Sequence, residues 1–557
     1  MGMYCDQCQE TSGNIACTEH GACGKGQDLS ALQDILLILV QGISTYAHQL
    51  RLRSHPTPGA DLFVMDALFS MMTNVQFDEV EFAKKINTAL DIRADLRDSF
   101  RNDHVIDGTG KPLSDHHLVM ANWSPAGITL EDLTGHDIIV SPEDRNDDIQ
   151  SLRTLLLVGV KGIAAYAHHA HTLDFTDDEI FSTMHEILSA TIDDDRGKED
   201  LTSLLLREAE IAFRVLKLLD QANTDTYGHP EPTDVSIGVG TNPGILISGH
   251  DLRDLEDLLE QTIDTGIDVY THGEMLVAHS YPAFQGYPHF VGNYGGSWWK
   301  QQEEFRRFNG PILMTASCLV PPDAEYASRT FTTGVAGYPG IQHIPPRDSS
   351  GSKDFSPLIE MALTSPPPEQ IDEGTIEVGC ARETLLCSTE TVLKSVLLGE
   401  ISHFYVIAGC DGRHRSRDYY TDLVRSLPPR SMILTAGCAK YRFNNLDLGE
   451  VAGLPRLLDA GQCNDTYSIA LVLMRLAEAV GKKDINDLPV SFNLSWFEQK
   501  AVTVLLALLH LGIRRIRLGP TLPAFLSPGI IDLLSSTFGL IPTGTVEDDL
   551  IAMSGGT

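Results

Sequence analysis

A stretch beginning at Leu32, LQDILLILVQGISTYAHQL, returns at Leu152 as LRTLLLVGVKGIAAYAHHA. Leu36, Gly42, Ile43, Tyr46, Ala47 and His48 reappear as Leu156, Gly162, Ile163, Tyr166, Ala167 and His168, all at one offset. Each copy carries apolar residues at helical spacing and is followed by a further helical stretch, 78–97 and 178–192. Two related helical bundles are therefore expected in the N-terminal region. Between them, 102–147 is rich in Gly, Pro, Asp and Ser and is expected to be connecting loop with short helices. His48 and His168 lie inside the repeated helix and are read as structural.

The pattern changes after residue 228. Short apolar runs end in turn signals and lead into helices: GILISGHD before LRDLEDLLEQTI, then PILMTASC, FYVIAGCDG, SMILTAGCAK and LPVSFNLSWFEQKA. Such alternation predicts α/β units with parallel sheets. The stretch 363–374 (LTSPPPEQIDEG) reads as a linker. The expected organisation is an all-α region of two bundles with a cysteine loop (1–228), then two Rossmann-like α/β domains (229–370 and 371–557).

Acidic residues outnumber basic ones by 76 to 41, a net charge of −35, which argues against nucleic-acid and anionic-membrane partners. The longest apolar runs, Ile35–Val40 and Val502–Leu509, are too short to span a bilayer. The N-terminus, MGMYCDQC, lacks the pattern of a secretion signal, so a cytoplasmic location is expected. In that compartment the ten cysteines are read first as metal ligands rather than disulfides.

Four cysteines, Cys5, Cys8, Cys17 and Cys23, follow a C-x2-C-x8-C-x5-C spacing. Four thiolates in a small loop can enclose an iron–sulfur cluster or a zinc ion. Gly13, Gly21 and Gly24 let the loop wind tightly. Structural zinc sites more often show two close pairs, whereas only the first pair is close here.

A second set is scattered. In open α/β sheets, functional groups gather beyond the carboxyl ends of strands. His250, Glu274, Cys318, Cys410, Cys438 and Glu498 each follow a strand-like run, and Cys463 sits in a loop-like GQC before a helix. Singly, each has a plain explanation, a buried thiol or a helix cap at Glu274. Together they read as one metal site. Thiolates suit iron with sulfide, whereas carboxylate and imidazole suit harder iron bound to oxygen. A mixed cluster with open positions is expected to be a reaction centre, and the saturated four-cysteine site an electron relay.

CDQC with Cys17 and GACGK, ISGHD, THGEM, AGCDG followed by RDYY, LTAGCAKYRFN, GQCND and SWFEQKA together resemble the hybrid-cluster protein family over essentially the whole chain. The N-terminal spacing is similar to its longer class. The resemblance implies a 4Fe–4S cluster on Cys5, Cys8, Cys17 and Cys23. It further implies a hybrid 4Fe–2S–2O cluster, lying between the α/β domains, on His250, Glu274, Cys318, Cys410, Cys438, Cys463 and Glu498. Cys410 matches the family's persulfide position, and Lys500 matches a lysine near the cluster. Cys380 and Cys387 match no ligand motif and are read as core thiols.

The implied activity is reduction of hydroxylamine to ammonia and water, with Glu498, Glu274 and Lys500 as candidate proton donors. Nitric oxide reduction in nitrosative-stress defence is an alternative, as is a nitric oxide sensor or protein S-nitrosylase. Nickel carbon monoxide dehydrogenases are the nearest enzyme rival, and Glu274 and Glu498 at ligand positions stand against them. GVGTNPG at Gly238 lacks the spacing of a dinucleotide fingerprint, so an external donor, a ferredoxin or separate reductase, is expected.

Overall fold

The computed structural model describes residues 3–103, 115–134, 148–316, 318–349 and 351–554. Much of the 102–147 connection lies outside these residues; the part described holds two short helices, Asp115–Ala121 and Leu130–Thr134. The helical region otherwise comprises α1 (Gln27–Arg51), α2 (Pro58–Ser70), α3 (Glu79–Asp103) and then, after those two (α4 and α5), α6 (Asp148–His171), α7 (Asp178–Ala190) and α8 (Lys198–Tyr227). The repeated segments form α1 and α6. The two copies interlock rather than stand apart: α1 packs on α7 as well as α3, and α6 packs on α2 as well as α8. Among the described residues α1 alone is long and apolar enough to cross a bilayer, yet 78% of its apolar window is buried inside the protein.

The repeated glycine marks a close approach in both copies. A Cβ on Gly42 would lie 2.5 Å from the Ala121 carbonyl oxygen. On Gly162 it would lie 2.1 Å from Thr503 Oγ1 and 2.6 Å from the Gln499 carbonyl oxygen, both on the helix Gln499–His510. Gly162→Ala is therefore expected to lower stability by about 1–3 kcal/mol. The overlap outweighs a helix-propensity gain of about 1 kcal/mol. A lower urea midpoint checks this, and an unchanged midpoint would show that the helix can retreat at no cost.

The strands are β1 (Thr233–Ser236), β2 (Gly244–Ser248), β3 (Asp268–His272), β4 (Phe290–Asn293), β5 (Ile312–Thr315), β6 (Thr330–Thr333), β7 (Gln342–Ile344), β8 (Thr375–Val378), β9 (His403–Gly409), β10 (Ser431–Thr435), β11 (Glu450–Val451), β12 (Leu454–Pro455), β13 (Leu457–Asp459), β14 (Val490–Ser495), β15 (Arg517–Gly519) and β16 (Ile541–Pro542). Two six-stranded sheets result, ordered β4-β3-β2-β5-β6-β7 and β13-β10-β9-β14-β15-β16. Every neighbouring pair within them is parallel. β2, β5 and β10 are buried at every position, which is why they read as short apolar runs rather than alternating ones. The sequence expectation of a helical region followed by parallel α/β sheets holds.

Candidate functional site

Counted from its own first strand, each sheet has the order 3-2-1-4-5-6, so the chain reverses direction across the sheet between β2 and β5 and again between β9 and β14. At such a reversal the loops leaving adjacent strand ends part and open a crevice. His250 follows β2, Cys318 follows β5, Cys410 follows β9 and Glu498 follows β14. Glu274, Cys438 and Cys463 follow the neighbouring strands β3, β10 and β13. All seven residues therefore leave the carboxyl ends at or beside the two reversals.

The structure draws these groups together. Glu274 is the hub: Cys463 donates to it through Sγ at 2.8 Å and through its backbone N–H at 3.0 Å. His250 Nε2 lies 3.4 Å from Glu274 Oε2 and 3.1 Å from Lys500 Nζ. Lys500 Nζ lies 3.9 Å from Glu498 Oε1. Glu498 caps the helix Gln499–His510, its Oε2 accepting from the Lys500 backbone N–H at 2.8 Å. Glu274, for which a helix cap was the plain alternative to a ligand, lies within a 3-10 turn that has no side-chain cap. His250, Glu274, Glu498 and Lys500 are each 8% exposed or less.

Burial dominates the electrostatics. It pushes the Cys318 thiol up to about 12 and the Cys438 thiol well above its usual range. A hydrogen bond with Cys410, then burial, does the same to Cys463. Burial also raises Glu498, against the pull of Lys500. For Glu274, burial is outweighed by its bond to His250 and by the charges of His250 and Lys500, so its carboxyl is held well below the usual range.

The backbone supplies the sharp exits from the strands. Gly249, Gly273, Gly409 and Gly437 directly precede His250, Glu274, Cys410 and Cys438, and all four have positive φ. At Gly249 a Cβ would lie 1.8 Å from the Thr315 carbonyl oxygen, so no other residue fits. Cys318 itself adopts φ 67°, a strained conformation for a residue with a side chain. Buried polar pairs hold the loops. His272 bridges Ser248 Oγ at 2.9 Å and Glu304 at 3.0 Å, and Lys440 ties Asp459 to the Gly461 carbonyl oxygen in the GQC loop.

The N-terminal cysteines form a second cluster. Cys5 and Cys17 pair through two backbone hydrogen bonds, at 3.1 and 2.8 Å. All four cysteines line one cavity of about 430 Å³, open in part to solvent, together with Met71, Asn74 and Phe77. Gly13 and Gly24 have positive φ, which permits the tight winding. Among the described residues, no three His, Cys, Asp or Glu side chains, here or at the strand ends, close tightly enough to hold a single metal ion.

The two clusters are joined directly. The Gln9 backbone N–H donates to the Phe497 carbonyl oxygen at 2.9 Å, linking the residue after Cys8 to the residue before Glu498. Gln7 Oε1 accepts from Gln499 at 3.2 Å and from Lys161 at 2.7 Å. Arg417, fully buried, donates to Gln9 Oε1 at 2.7 Å, to the Trp496 carbonyl oxygen and Ser495 Oγ at 2.8 Å, and to the Cys410 carbonyl oxygen at 3.5 Å. Phe497 stacks on Trp298 at 4.4 Å.

Sequence reasoning missed two residues of α6 that face the strand-end group. His169 stacks on His250 at 5.7 Å, and both its ring nitrogens are buried without a hydrogen-bond partner. The Tyr166 hydroxyl is likewise buried and unpartnered, within the electrostatic reach of Cys463, Glu498, Glu274 and Cys410. A signal existed for His169: the second copy reads AHHA where the first reads AHQL. His168 is hydrogen-bonded to Asp66 at 2.8 Å, in keeping with a structural role. Cys380 is buried, but Cys387 is exposed at the end of a short helix in which only Leu385 is buried, which corrects its reading as a core thiol.

Residues 3–551 match the Prismane/CO dehydrogenase family. Three relatives, each named hydroxylamine reductase, come from Natranaerobius thermophilus, Methanosarcina mazei and Nitratidesulfovibrio vulgaris. They are 51%, 50% and 49% identical, over at least 99% of this chain and of each relative. Among solved structures, a nickel-free carbon monoxide dehydrogenase from a Thermococcus species has a TM-score of 0.57 at 16% identity, covering 99% of this chain and 90% of that one. Carbon monoxide dehydrogenase IV from Carboxydothermus hydrogenoformans has a TM-score of 0.56 at 16% identity, covering 97% and 89%. At that identity the structural likeness speaks for the fold, and the sequence matches speak for membership. The chain belongs to the Prismane/CO dehydrogenase family.

Proposed function

We propose that this chain is a hydroxylamine reductase whose two cysteine-bearing sites hold iron–sulfur groups. Cys5, Cys8, Cys17 and Cys23 hold a 4Fe–4S cluster; His250, Glu274, Cys318, Cys410, Cys438, Cys463 and Glu498 hold a hybrid 4Fe–2S–2O cluster, with Cys410 as the persulfide position. The observation that carries this reading is the convergence of seven donors, soft and hard, at the strand-end reversals of two parallel sheets. The donor set fits such a group. Three buried thiols and the half-buried Cys318 beside two buried carboxylates cannot ionise together unless multivalent cations compensate them. The units 1–228, 229–370 and 371–557 follow, with the second group between the last two.

Held there, the iron–sulfur groups would supply the electrons and Lewis acidity for the reduction NH2OH + 2 H⁺ + 2 e⁻ → NH3 + H2O. The chain's own residues do the rest. Lys500, charged and buried among Glu498, Cys318 and Glu274, holds a proton at Nζ within reach of the crevice. Glu498, raised by burial, holds one more readily than an exposed carboxylate. Glu274 stays ionised and orients His250 and Cys463. The Gln9–Phe497 hydrogen bond shortens the path between the two sites. Electrons arrive from an external cytoplasmic donor, a ferredoxin or a separate reductase.

Anaerobically purified protein with a reduced viologen dye is expected to form one ammonium for every two electrons consumed with hydroxylamine. Iron-loaded protein that consumes no hydroxylamine would overturn the proposal. Consumption of nitric oxide in its place would move the assignment to nitric oxide reduction.

A further inference from the structure

The second site is buried, yet each turnover in the reading above must bring two protons to it from solvent. Buried polar groups are almost always hydrogen-bonded, so those that are not call for an explanation. Glu208, on α8, is 0% exposed, and neither of its carboxyl oxygens has a hydrogen-bond partner. Its carboxyl fills the room left by the missing side chain of Gly159 on α6: a Cβ there would lie 2.5 Å from Oε1. Burial alone raises it well above the usual carboxylate range, with no charged neighbour contributing, so it holds a proton more readily than an exposed carboxylate.

Groups able to exchange a proton, and a hollow open to solvent, lie to either side of it. Outward, Leu205 and Ala209 on the same helix line a hollow of about 520 Å³, open in part to solvent, with Leu506, Leu509, His510 and Phe538. Inward, residues 159, 162 and 166 share one face of α6. Thr503 Oγ1 packs at Gly162 and donates to the Gly159 carbonyl oxygen at 3.1 Å. The unpartnered Tyr166 hydroxyl follows, about 10 Å along the helix from Gly159. It lies within the electrostatic reach of Cys463, Glu498, Glu274 and Cys410. The Glu208 acid at Gly159, the Thr503 hydroxyl at Gly162 and the Tyr166 hydroxyl are therefore ranged in order along one face of α6, about a turn apart, between the helix whose neighbouring residues line the hollow and the candidate centre.

We propose that Glu208 is the proton-relay residue of this centre, loaded at the hollow beside His510 and discharging along the α6 face through the Thr503 and Tyr166 hydroxyls. The proposal rests on the hydroxylamine reading. Each proton passed inward is replaced from solvent, so Glu208 ends every turnover in its starting state, and the electrons come from the external donor.

The test uses the anaerobically purified holoprotein and Glu208→Gln, which keeps size and shape but cannot relay. Infrared spectra of the wild type are expected to show the carbonyl stretch of an unbonded carboxylic acid, shifted in D2O and absent from the variant. Proton uptake on reduction by dithionite, followed with a pH dye, is expected to slow roughly tenfold or more in E208Q. Turnover is expected to fall in step, with a larger solvent deuterium isotope effect and unchanged iron and sulfide content. Tyr166→Phe is expected to reproduce the slowing. Uptake at the wild-type rate in E208Q, or no such infrared band, overturns the relay. Failure of the wild type to make ammonium overturns the hydroxylamine reading instead, since proton uptake on reduction needs no substrate.

Discussion

Arg417→Met is expected to lower stability by at least about 3 kcal/mol, since each hydrogen bond from a charged donor contributes about 1.5–3 kcal/mol and several are lost at once. The guanidinium is fully buried and serves the Gln9 side chain, Ser495 Oγ and the carbonyl oxygens of Trp496 and Cys410. Methionine fills similar volume but leaves those acceptors unsatisfied. A second effect follows from where they lie. Gln9 adjoins Cys8, Trp496 precedes the Phe497–Glu498 pair, and Cys410 is a candidate ligand, so Arg417 clamps both sites to one strand end. Arg417→Met is expected to slow electron transfer from the N-terminal site to the second, read by stopped-flow reduction. Arg417→Lys restores the charge without the planar fork and is expected to recover only part of each loss. A wild-type urea midpoint and wild-type reduction kinetics in Arg417→Met would remove Arg417 from the account.

Glu498→Gln is expected to reduce hydroxylamine turnover by about 100-fold or more while removing a smaller share of the bound iron. The substitution is nearly isosteric, and the amide oxygen can still accept from the Lys500 backbone N–H, so the cap of the Gln499–His510 helix survives. What goes is the negative charge that faces Lys500 and a carboxyl able to exchange a proton. Turnover and iron falling in equal proportion would make Glu498 a ligand and nothing more; full turnover would exclude it from the chemistry.

The fold and the positions of the candidate donors were legible in the sequence for one physical reason. A strand buried on both faces reads as a short unbroken apolar run, and its end is marked by a residue that can turn sharply. GILISGH, FYVIAGC and SMILTAGC each spell strand, positive-φ glycine and donor in that order. The interlocking of the two helical copies was not legible, because α1 against α7 and α2 against α6 are choices of packing face that a repeat leaves open. Nor were Arg417 and Gln9, which meet across 408 positions of chain. Tyr166 and His169 sit in a helix whose period says only that one face is buried; their unpartnered polar atoms become visible once the helix Gln499–His510 and the loop of His250 pack against them. Cys387 was misread because a cysteine's burial depends on which side of a short helix it takes.

Two iron–sulfur sites, one on the four N-terminal cysteines and one on the seven strand-end donors, are what the proposed activity requires. Iron, acid-labile sulfide and nickel per chain, measured on anaerobically purified protein, test this most directly. Two four-iron groups require about eight irons, with sulfide below iron because part of the second group is bridged by oxygen, and no nickel. Nickel in stoichiometric amount would place the chain with carbon monoxide chemistry, and zinc without sulfide would contradict the account altogether.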